Sequence, residues 1–573
     1  MSWFIGYTGK KNPILGQYIS SLNLESTKEI KTENLSLIFG GKKENLFYNI
    51  NPDSTGWIVS GIPIHFEGCN SRFIKINYLE KILSDTELNL KDINGHFAGI
   101  KWDKEKVTFF NDQLGLRDIY YLQFNSNFLF STRMDWAAKF NKFNQIDFEN
   151  FSTNWILPHQ ISWESIIKNA EKLKPGQTII ILREKLQKNE LPWNPDFTGK
   201  STPEDFLKTL NGFIKLPLEN EKVNLGLSGG IDSRILLQLI FNNNIKNFGS
   251  HTFGNQLTAD GQIAKRITDD YKIEHYFFTV SFRNEEQLIK NLYDNISQLG
   301  LSSSIFDTLN YPFYQQLNDL KYVIIDGAYG EIFRRAYLNR FLILGRKALL
   351  NKDAETIFNL LKNQKSDIFN DEISKQLEYS AINQITNVLN ILPDPKIIGI
   401  ENWLDTFFIR TKVANISGPS QTYLDNICRA FMPFIQPSVL TCGFSLNINE
   451  KKNGRLFLDI INEGKMLKKY PLVKDQIIYP FSSNIFFTRM YQKMKRKMGL
   501  IHSASTKIEL LSILKNFTFD KINSGDVRNY DLYNYNKVSD LATNYYKGNT
   551  SLADKLIWWI SFEIWRENYN IKD

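Results

Sequence analysis

The sequence has few cysteines and no long apolar run. Its three cysteines, Cys69, Cys428 and Cys442, are spaced in a way that fits neither a disulfide framework nor a zinc site. No stretch of eighteen or more apolar residues occurs, which argues against a membrane span. The first residues also lack the basic and then apolar pattern of a secretory signal. We therefore expect a cytoplasmic protein with no membrane partner.

The sequence also lacks a nucleic-acid signature. Its net charge of +8 is small for 573 residues. Aromatic residues are spread through the chain rather than interleaved with its densest basic stretch, residues 489–497. Hydrophobic residues make up 42% and charged residues 23%, which is the balance of a globular chain. We expect a large soluble enzyme of several domains that has no nucleic-acid partner.

The most informative motif lies at residues 227–234, which read Leu-Ser-Gly-Gly-Ile-Asp-Ser-Arg between two apolar runs. This pattern predicts a strand, a loop and a helix. Adjacent glycines let backbone N–H groups converge on an anion, and the N-terminus of the following helix favours negative charge. The motif lacks the Gly-Lys-Ser/Thr ending of a Walker loop. It therefore predicts a different nucleotide site, one that holds pyrophosphate as a unit.

Asp232 stands inside this loop. A carboxylate repels phosphate, so we expect it to bind an Mg²⁺ ion that bridges the phosphate oxygens. The hydroxyl groups of Ser228 and Ser233 add hydrogen-bond donors for the phosphates themselves.

Residues 228–233 resemble the pyrophosphate loop of the asparagine synthetase family, whose members activate a carboxylate as its adenylate and pass it to an amine. Residues 251–254 resemble the second strand of that family, and residues 259–264 resemble the start of the helix that follows it. In the family these segments line the adenine pocket, so the resemblance implies that ATP and Mg²⁺ are bound. The implied nucleotide contacts are Leu227, Ser228, Gly229, Gly230, Asp232, Ser233, Thr252, Phe253 and Gly327.

A second acidic segment, residues 326–331, follows the short apolar run 322–325, which predicts a buried parallel strand. The family carries Ser-Gly-x-Gly-x-Asp-Glu there, with the Asp as second metal ligand. By position Glu331 replaces that Asp, so the resemblance implies that Glu331 is a metal ligand beside Asp232 and a catalytic residue. The segment departs from the family because Glu is one methylene longer, Tyr329 replaces a glycine, and the following acid is Ile332.

Adenylate chemistry also needs a cation near the charge that develops in the transition state. The family supplies a lysine downstream of a Pro-Phe-Leu-Asp segment, which shapes the acceptor side of the pocket and which residues 431–437 resemble. In this chain Lys452 or Arg455 is the candidate for that catalytic cation, and either could equally be a loop charge.

The N-terminal part resembles the glutaminase-type domain of the same family through residues 94–103 and 110–121, which alternate like paired strands. An active glutaminase exposes a cysteine after Met1, whereas here Ser2 stands at the nucleophile position. A hydroxyl is a poorer nucleophile than a thiol, although serine hydrolases of this type exist. The substrate-holding Asn-Gly-Glu segment falls at residues 59–63, where only the glycine remains. We interpret the domain as a scaffold that does not hydrolyse glutamine.

These observations predict an α/β protein of two domains. Residues 1–195 form a degenerate glutamine amidotransferase-type α/β sandwich of the N-terminal-nucleophile (Ntn) hydrolase type. Residues 196–573 form a doubly wound parallel-sheet ATP pyrophosphatase (PP-loop) domain with a largely helical C-terminal part. The boundary is predicted at residues 191–196, where prolines and polar residues interrupt the pattern.

The resemblance implies an AMP-forming carbon–nitrogen ligase that joins a small-molecule or peptide carboxylate to an amine. β-Lactam synthetases and lasso-peptide macrolactam synthetases are similar in having a disabled glutaminase domain, and a peptide substrate would bring a precursor-processing protease or a peptide-recognition partner. One alternative is amidation of aspartate or a sugar acid with ammonia. The other is a non-catalytic, regulatory nucleotide-binding protein, which the altered segment 326–332 favours.

Overall fold

The computed structural model describes residues 2–85, 88–141, 143–182, 185–216, 221–282, 284–335, 337–474, 476–481, 490, 494 and 506–572. The basic stretch 489–497 therefore lies outside the described residues, apart from Met490 and Met494. Within the described residues, no helix combines the length and the apolar character needed to cross a bilayer.

The N-terminal part is built from two antiparallel sheets. The strands of the first sheet follow the order β11-β9-β10-β1-β3-β2, and those of the second follow β13-β12-β8-β7-β5-β4, with β6 paired to β5. The strands are β1 (Trp3–Thr8), β2 (Lys28–Lys31), β3 (Leu35–Gly40), β4 (Leu46–Ile50), β5 (Gly56–Glu67), β6 (Asn70–Phe73), β7 (Ile93–Trp102), β8 (Lys106–Asn111), β9 (Tyr120–Phe124), β10 (Asn127–Ser131), β11 (Glu171–Lys172), β12 (Gln177–Leu182) and β13 (Lys185–Glu190).

Successive side chains along each strand point to opposite faces of its sheet. Each sheet can therefore pack on both faces, and the N-terminal part has four layers. On β1 the Phe4 side chain packs between the two sheets, whereas Trp3 and Ile5 face the opposite side. That outer face is covered by α1 (Pro13–Ser21), and the outer face of the second sheet is covered by α2 (Ile76–Ser84). The result is a helix–sheet–sheet–helix sandwich.

A parallel sheet follows in the C-terminal part, with the order β16-β15-β14-β17-β18. Its strands are β14 (Lys222–Gly226), β15 (Phe248–Phe253), β16 (Glu274–Phe278), β17 (Tyr322–Ile325) and β18 (Arg429–Phe431). The strand order reverses between β14 and β17, because β15 and β16 extend to one side of β14 and β17 lies on the other. In sheets of this kind a ligand crevice opens at the carboxyl ends of the strands at that reversal.

Helices accompany this sheet and then dominate the chain. The helices are α3 (Met134–Ala138), α4 (Phe148–Ile156), α5 (Pro203–Lys215), α6 (Ile231–Asn242), α7 (Ala259–Tyr271), α8 (Glu285–Leu299), α9 (Tyr311–Asp319), α10 (Asn339–Leu344), α11 (Arg346–Leu350), α12 (Ala354–Leu361), α13 (Asp371–Ile391), α14 (Pro395–Ile398), α15 (Ile400–Phe408), α16 (Gly418–Leu424), α17 (Pro437–Phe444), α18 (Ile448–Lys451) and α19 (Arg455–Gly464). Later elements are the strands β19 (Leu472–Lys474) and β20 (Ile477–Tyr479), followed by helices at Thr506–Ile513, Lys515–Asn523, Gly525–Arg528, Tyr535–Tyr546 and Ala553–Asn568. A π-helix, Ile409–Ser417, connects α15 to α16.

The predicted fold class is confirmed: an α/β sandwich precedes a doubly wound parallel sheet with a largely helical C-terminal part. The last helix, Ala553–Asn568, buries Phe562 and Trp565 against Phe151 of α4. The last helix therefore packs back onto α4, which lies between strands β10 and β11 of the sandwich.

Candidate nucleotide site

The glycine loop joins β14 to α6, as predicted. Gly230 caps α6, and its N–H group donates to the Ser228 hydroxyl at 3.1 Å. The Ser228 N–H group donates to the Ser233 hydroxyl, also at 3.1 Å. The Gly229 N–H group donates to Asp260 Oδ1 at 2.8 Å. These contacts engage the N–H groups of Ser228, Gly229 and Gly230 and fix the loop at the N-terminus of α6, where the helix dipole favours an anion.

Two glycines are required by close packing around the loop. A Cβ atom on Gly229 would lie 2.1 Å from Cγ2 of Val473, and one on Gly327 would lie 3.0 Å from the backbone nitrogen of Ser233. The turn after β17 therefore packs directly against the start of α6, and β19 packs against the loop itself.

Arg234 stabilises the loop through hydrogen bonds to backbone carbonyl oxygens. Its guanidinium is fully buried and donates to the carbonyl oxygens of Gly229 (3.0 Å), Tyr470 (2.9 Å) and Pro471. Burial lowers the pKa of Arg234 to about 10. The guanidinium group of Arg234, the last residue of the motif, therefore donates to backbone carbonyl oxygens and stabilises the loop rather than facing a ligand.

A cavity of about 330 Å³ lies at the carboxyl ends of β14, β15 and β17. It is lined by Gly226, Leu227, Ser228, Asp232, Ser233, His251, Thr252, Phe253, Asp260, Asp326, Gly327 and Ala328. The structure thus brings the predicted nucleotide contacts together on one wall, apart from Gly229 and Gly230, which form the loop beside it.

The side of the cavity formed by β15 is aromatic and uncharged. The His251 ring lies 5.1 Å from the Phe253 ring and 5.7 Å from the Tyr314 ring, measured between centroids. Its Nδ1 atom is 2.6 Å from Asn224 Oδ1. Burial lowers the pKa of His251 to about 3, so the ring is neutral at physiological pH.

Asp232 forms an ion pair that the sequence did not indicate. Arg334 donates from Nε to Oδ1 at 2.6 Å and from Nη2 to Oδ2 at 2.8 Å, so both carboxylate oxygens are engaged. Burial raises the pKa of Asp232, Arg334 opposes that rise, and the nearby Glu331 carboxylate adds to it.

Glu331 has its own cation. Lys412 Nζ, which extends from the π-helix, lies 3.2 Å from Glu331 Oε1. The same ammonium group lies 4.5 Å above the Phe408 ring and 5.2 Å from the Tyr329 ring.

Asp232 and Glu331 were predicted to bind a metal ion together. They are close enough for each charge to act on the other, but each is already neutralised by a cation. Within the described residues, no group of three His, Cys, Asp or Glu side chains could hold a metal ion. Mg²⁺ needs carboxylate oxygens that are free to coordinate it. The side chains in this arrangement therefore do not fit a metal ion held by the protein.

Asp326 is a cavity residue that sequence reasoning missed. Its Oδ1 atom accepts from the Ala328 N–H group at 2.7 Å, and burial raises the pKa of the carboxyl group. Its position directly after the buried strand β17 could have indicated that it lies at the carboxyl end of the sheet, beside the cavity.

The two predicted catalytic cations lie away from the cavity wall. Arg455 is 63% exposed and pairs with Asp459, while Lys452 is 46% exposed and lies 4.0 Å from Glu401. The preceding residue, Lys451, is fully buried, with Nζ 3.1 Å from Asp405 Oδ2. The buried cation of this segment is therefore Lys451, which neighbours the predicted Lys452.

The Asp405 carboxylate also binds Arg335 and the Tyr337 hydroxyl. Burial lowers the pKa of Lys451 to about 7. The Tyr337 ring packs 4.1 Å from the Phe408 ring, which carries Lys412 on its face. This buried cluster is thus joined to Glu331 through Phe408 and Lys412.

Ser2 lies in a closed polar network. It is 1% exposed, and its hydroxyl oxygen accepts from the Ser60 hydroxyl at 2.9 Å. Arg117 donates to the Ser2 carbonyl at 2.7 Å and lies 3.3 Å from Asp425, a residue of the C-terminal part. His96 completes the network with Nε2 at 2.9 Å from Asp425. The position of a glutaminase nucleophile is therefore sealed by buried ion pairs.

No family model and no curated protein matches this chain. Among solved structures, the chain is similar to the glutamine phosphoribosylpyrophosphate amidotransferase of B. subtilis (9% identity, 57% of this chain and 81% of that chain, TM-score 0.21). It is also similar to the NH3-dependent NAD synthetase of Campylobacter jejuni (17% identity, 34% and 98%, TM-score 0.17). A third similar structure is the U34-tRNA thiolase NcsA of Methanococcus maripaludis (13% identity, 36% and 86%, TM-score 0.16).

Proposed function

We propose that this chain is an ATP-dependent, AMP-forming ligase that adenylates a carboxylate, releases pyrophosphate and transfers the acyl group to an amine. The observation that carries the proposal is the glycine loop at the start of α6, which stands at the strand-order reversal of a parallel sheet beside a cavity of about 330 Å³. Anionic ligands bind at such positions because backbone N–H groups and the helix dipole converge there.

In this proposal the phosphates of ATP lie against residues 228–233, and the adenine lies against Thr252 and Phe253. The neutral His251 ring supports the adenine pocket because it adds aromatic surface without a charge. Magnesium enters only as the counter-ion that ATP carries in solution, where it offsets phosphate charge.

Attack of a carboxylate on the α-phosphorus builds negative charge that fixed cations can stabilise. Arg334 and Lys412 are close to the acidic side of the cavity, and Lys451 is buried behind them with Asp405. In this proposal Arg334 and Lys412 take the catalytic role that was predicted for Lys452 or Arg455, because the side chains of Arg455 and Lys452 are 63% and 46% exposed and lie beside Asp459 and Glu401.

The amine is proposed to come from the acceptor substrate, since Ser2, the predicted nucleophile position, is buried beneath Ser60 beside the Arg117–Asp425 ion pair. A peptide or specialised metabolite that forms a lactam or macrolactam fits this requirement. Amidation of aspartate or a sugar acid with free ammonium is the alternative within the same chemistry.

A second candidate is a regulatory nucleotide-binding protein. The pairing of Asp232 with Arg334 favours it, because a carboxylate neutralised by a guanidinium is poorly suited to hold a metal ion during catalysis.

The experiment is pyrophosphate and AMP release from ATP·Mg²⁺, with three substrate pools: aspartate plus ammonium, glutamine, and a small-molecule and peptide extract of the source cells. We expect release that depends on one pool, falls at least about 100-fold in Arg334→Gln, and is unchanged in Arg72→Gln, which replaces an exposed arginine in the sandwich. ATP binding with no AMP formation under any condition would establish the regulatory candidate instead.

A further inference from the structure

Arg334 holds Asp232 with two charge-assisted hydrogen bonds from one planar guanidinium group. This fork geometry is among the stronger pairings available to a carboxylate. Both side chains are mostly shielded from water, with 23% of Arg334 and 18% of Asp232 exposed. The pair is therefore screened less than one on the protein surface.

The turn between β17 and Arg334 is shaped to bring the guanidinium to this carboxylate. A Cβ atom on Gly330 would lie 2.7 Å from both Cβ and Cγ of Asp232, so the turn rests directly on that side chain. Tyr329, which precedes it, has a φ of 70° and is held by a 2.5 Å hydrogen bond between its hydroxyl and Ser417. The backbone after β17 thus delivers Arg334 to Asp232 through a fixed turn.

Charges of both signs lie near the pair, and Glu331 acts on Asp232 more strongly than Lys474 does. Lys474 acts electrostatically on Asp232 from β19, and Lys412 neutralises the neighbouring Glu331. A divalent ion that approached Asp232 in the free protein would meet these cations and would have to displace Arg334.

We propose that Arg334 is the resident cation of the glycine loop: in the nucleotide-free protein it occupies Asp232 and excludes divalent metal ions. A guanidinium binds phosphate oxygens as readily as carboxylate oxygens. Arg334 therefore becomes a ligand of the phosphates when a nucleotide enters, and this second part rests on the proposed function.

The first test is Mn²⁺ binding to nucleotide-free protein, measured by the loss of the electron paramagnetic resonance signal of free Mn²⁺. We expect no saturable site in the wild type or in Arg72→Gln, which removes an exposed arginine of the sandwich. Arg334→Gln is expected to bind Mn²⁺ at least about tenfold more tightly, and Asp232→Asn added to it is expected to abolish the gain.

Two results would contradict the proposal that Arg334 excludes metal ions. One is that the wild type already binds Mn²⁺ as tightly as Arg334→Gln, and the other is that the tighter Mn²⁺ binding of Arg334→Gln persists when Asp232→Asn is added. Arg334→Lys, which keeps the charge but loses the fork, is expected to bind Mn²⁺ with intermediate affinity. Thermal unfolding of each variant shows whether it is folded, and only folded variants are compared.

The second test is ATP affinity in excess EDTA, where no divalent ion can assist. We expect Arg334→Gln to bind ATP at least about tenfold more weakly than the wild type and Arg72→Gln to bind it equally well. Equal affinity in Arg334→Gln would overturn the phosphate-ligand role. If the wild type binds no ATP at all, the proposed function fails, while the Mn²⁺ experiment still decides whether Arg334 excludes metal ions.

Discussion

At the residue scale, the candidate site consists of charges that neutralise one another before any ligand is present. Asp232 is paired with Arg334, Glu331 with Lys412, and Asp405 with Lys451. In the proposed function, a triphosphate replaces Asp232 as the partner of Arg334. Such an arrangement keeps a cluster of buried charges stable in the empty protein, because an unpaired buried charge is costly.

His251 makes the site sensitive to acid. Its pKa is lowered to about 3 by burial, so between pH 3 and 6.5 only the unfolded chain binds its proton. Stability from this residue is therefore complete above pH 6.5 and is lost as the pH falls towards 3. We expect His251→Gln to reduce the difference in unfolding free energy between pH 7 and pH 5 by about 2 kcal/mol.

Urea unfolding at the two pH values measures this difference. His251→Asn is measured beside His251→Gln, because the Asn amide nitrogen stands at the branch position of the imidazole Nδ1 atom that contacts Asn224, so the pair of variants separates the titration from the hydrogen bond. An unchanged pH dependence in His251→Gln would show that the imidazole is not held neutral by its surroundings.

At the scale of elements, the glycine motif and the ends of β14, β15 and β17 could be predicted, because glycine turns and short apolar runs are local signals. The partners Arg334 and Lys412 could not. They reach Asp232 and Glu331 from positions about 100 and 80 residues away in the chain, and no local pattern encodes that approach. The burial of Lys451 could not be predicted for the same reason. Lys451 is the last residue of α18, and its side chain contacts Asp405, a residue 46 positions earlier in the chain.

The final helix, Ala553–Asn568, is an element whose contribution to stability can be measured. Phe562 is fully buried and contacts the rings of Phe151, Trp155 and Phe369. We expect Phe562→Ala to lower the free energy of unfolding by roughly 3–5 kcal/mol, because it leaves a cavity in an aromatic cluster.

The matched control is Tyr379→Ala, since that ring is 69% exposed and its removal is expected to change stability by less than about 0.5 kcal/mol. Chemical denaturation gives both values. A small loss in Phe562→Ala would mean that the last helix does not belong to the core.

At the scale of the whole molecule, the sandwich and the C-terminal part are joined beside Ser2, which the sequence predicts as a degenerate nucleophile position. Arg117 and His96 of the sandwich both bind Asp425, which stands between α16 and β18. The parallel sheet and the helical region therefore share buried polar contacts with the scaffold. The fold class could be predicted because several motifs resemble those of a known family, whereas this junction depends on residues about 300 positions apart in the chain.

Closure of the Ser2 site gives a prediction for the whole molecule. We expect neither the wild type nor Ser2→Cys to release glutamate from glutamine, because a thiol at this position remains buried beneath Ser60 and Arg117. A coupled glutamate assay measures this activity, with Ser126→Cys, in the turn between β9 and β10, as the control for an added thiol. Glutaminase activity in Ser2→Cys would show that the pocket is open in solution.

The proposed function requires a nucleotide in the cavity beside the glycine loop, and photolabelling with 8-azido-ATP detects it there. After tryptic digestion we expect the label on residues 247–265, which carry Thr252 and Phe253 of the cavity wall, and we expect excess ATP to prevent labelling. A separate cavity of about 360 Å³ is lined by Trp163 and Arg410. Specific labelling of residues 143–168, with none on 247–265, would contradict the account.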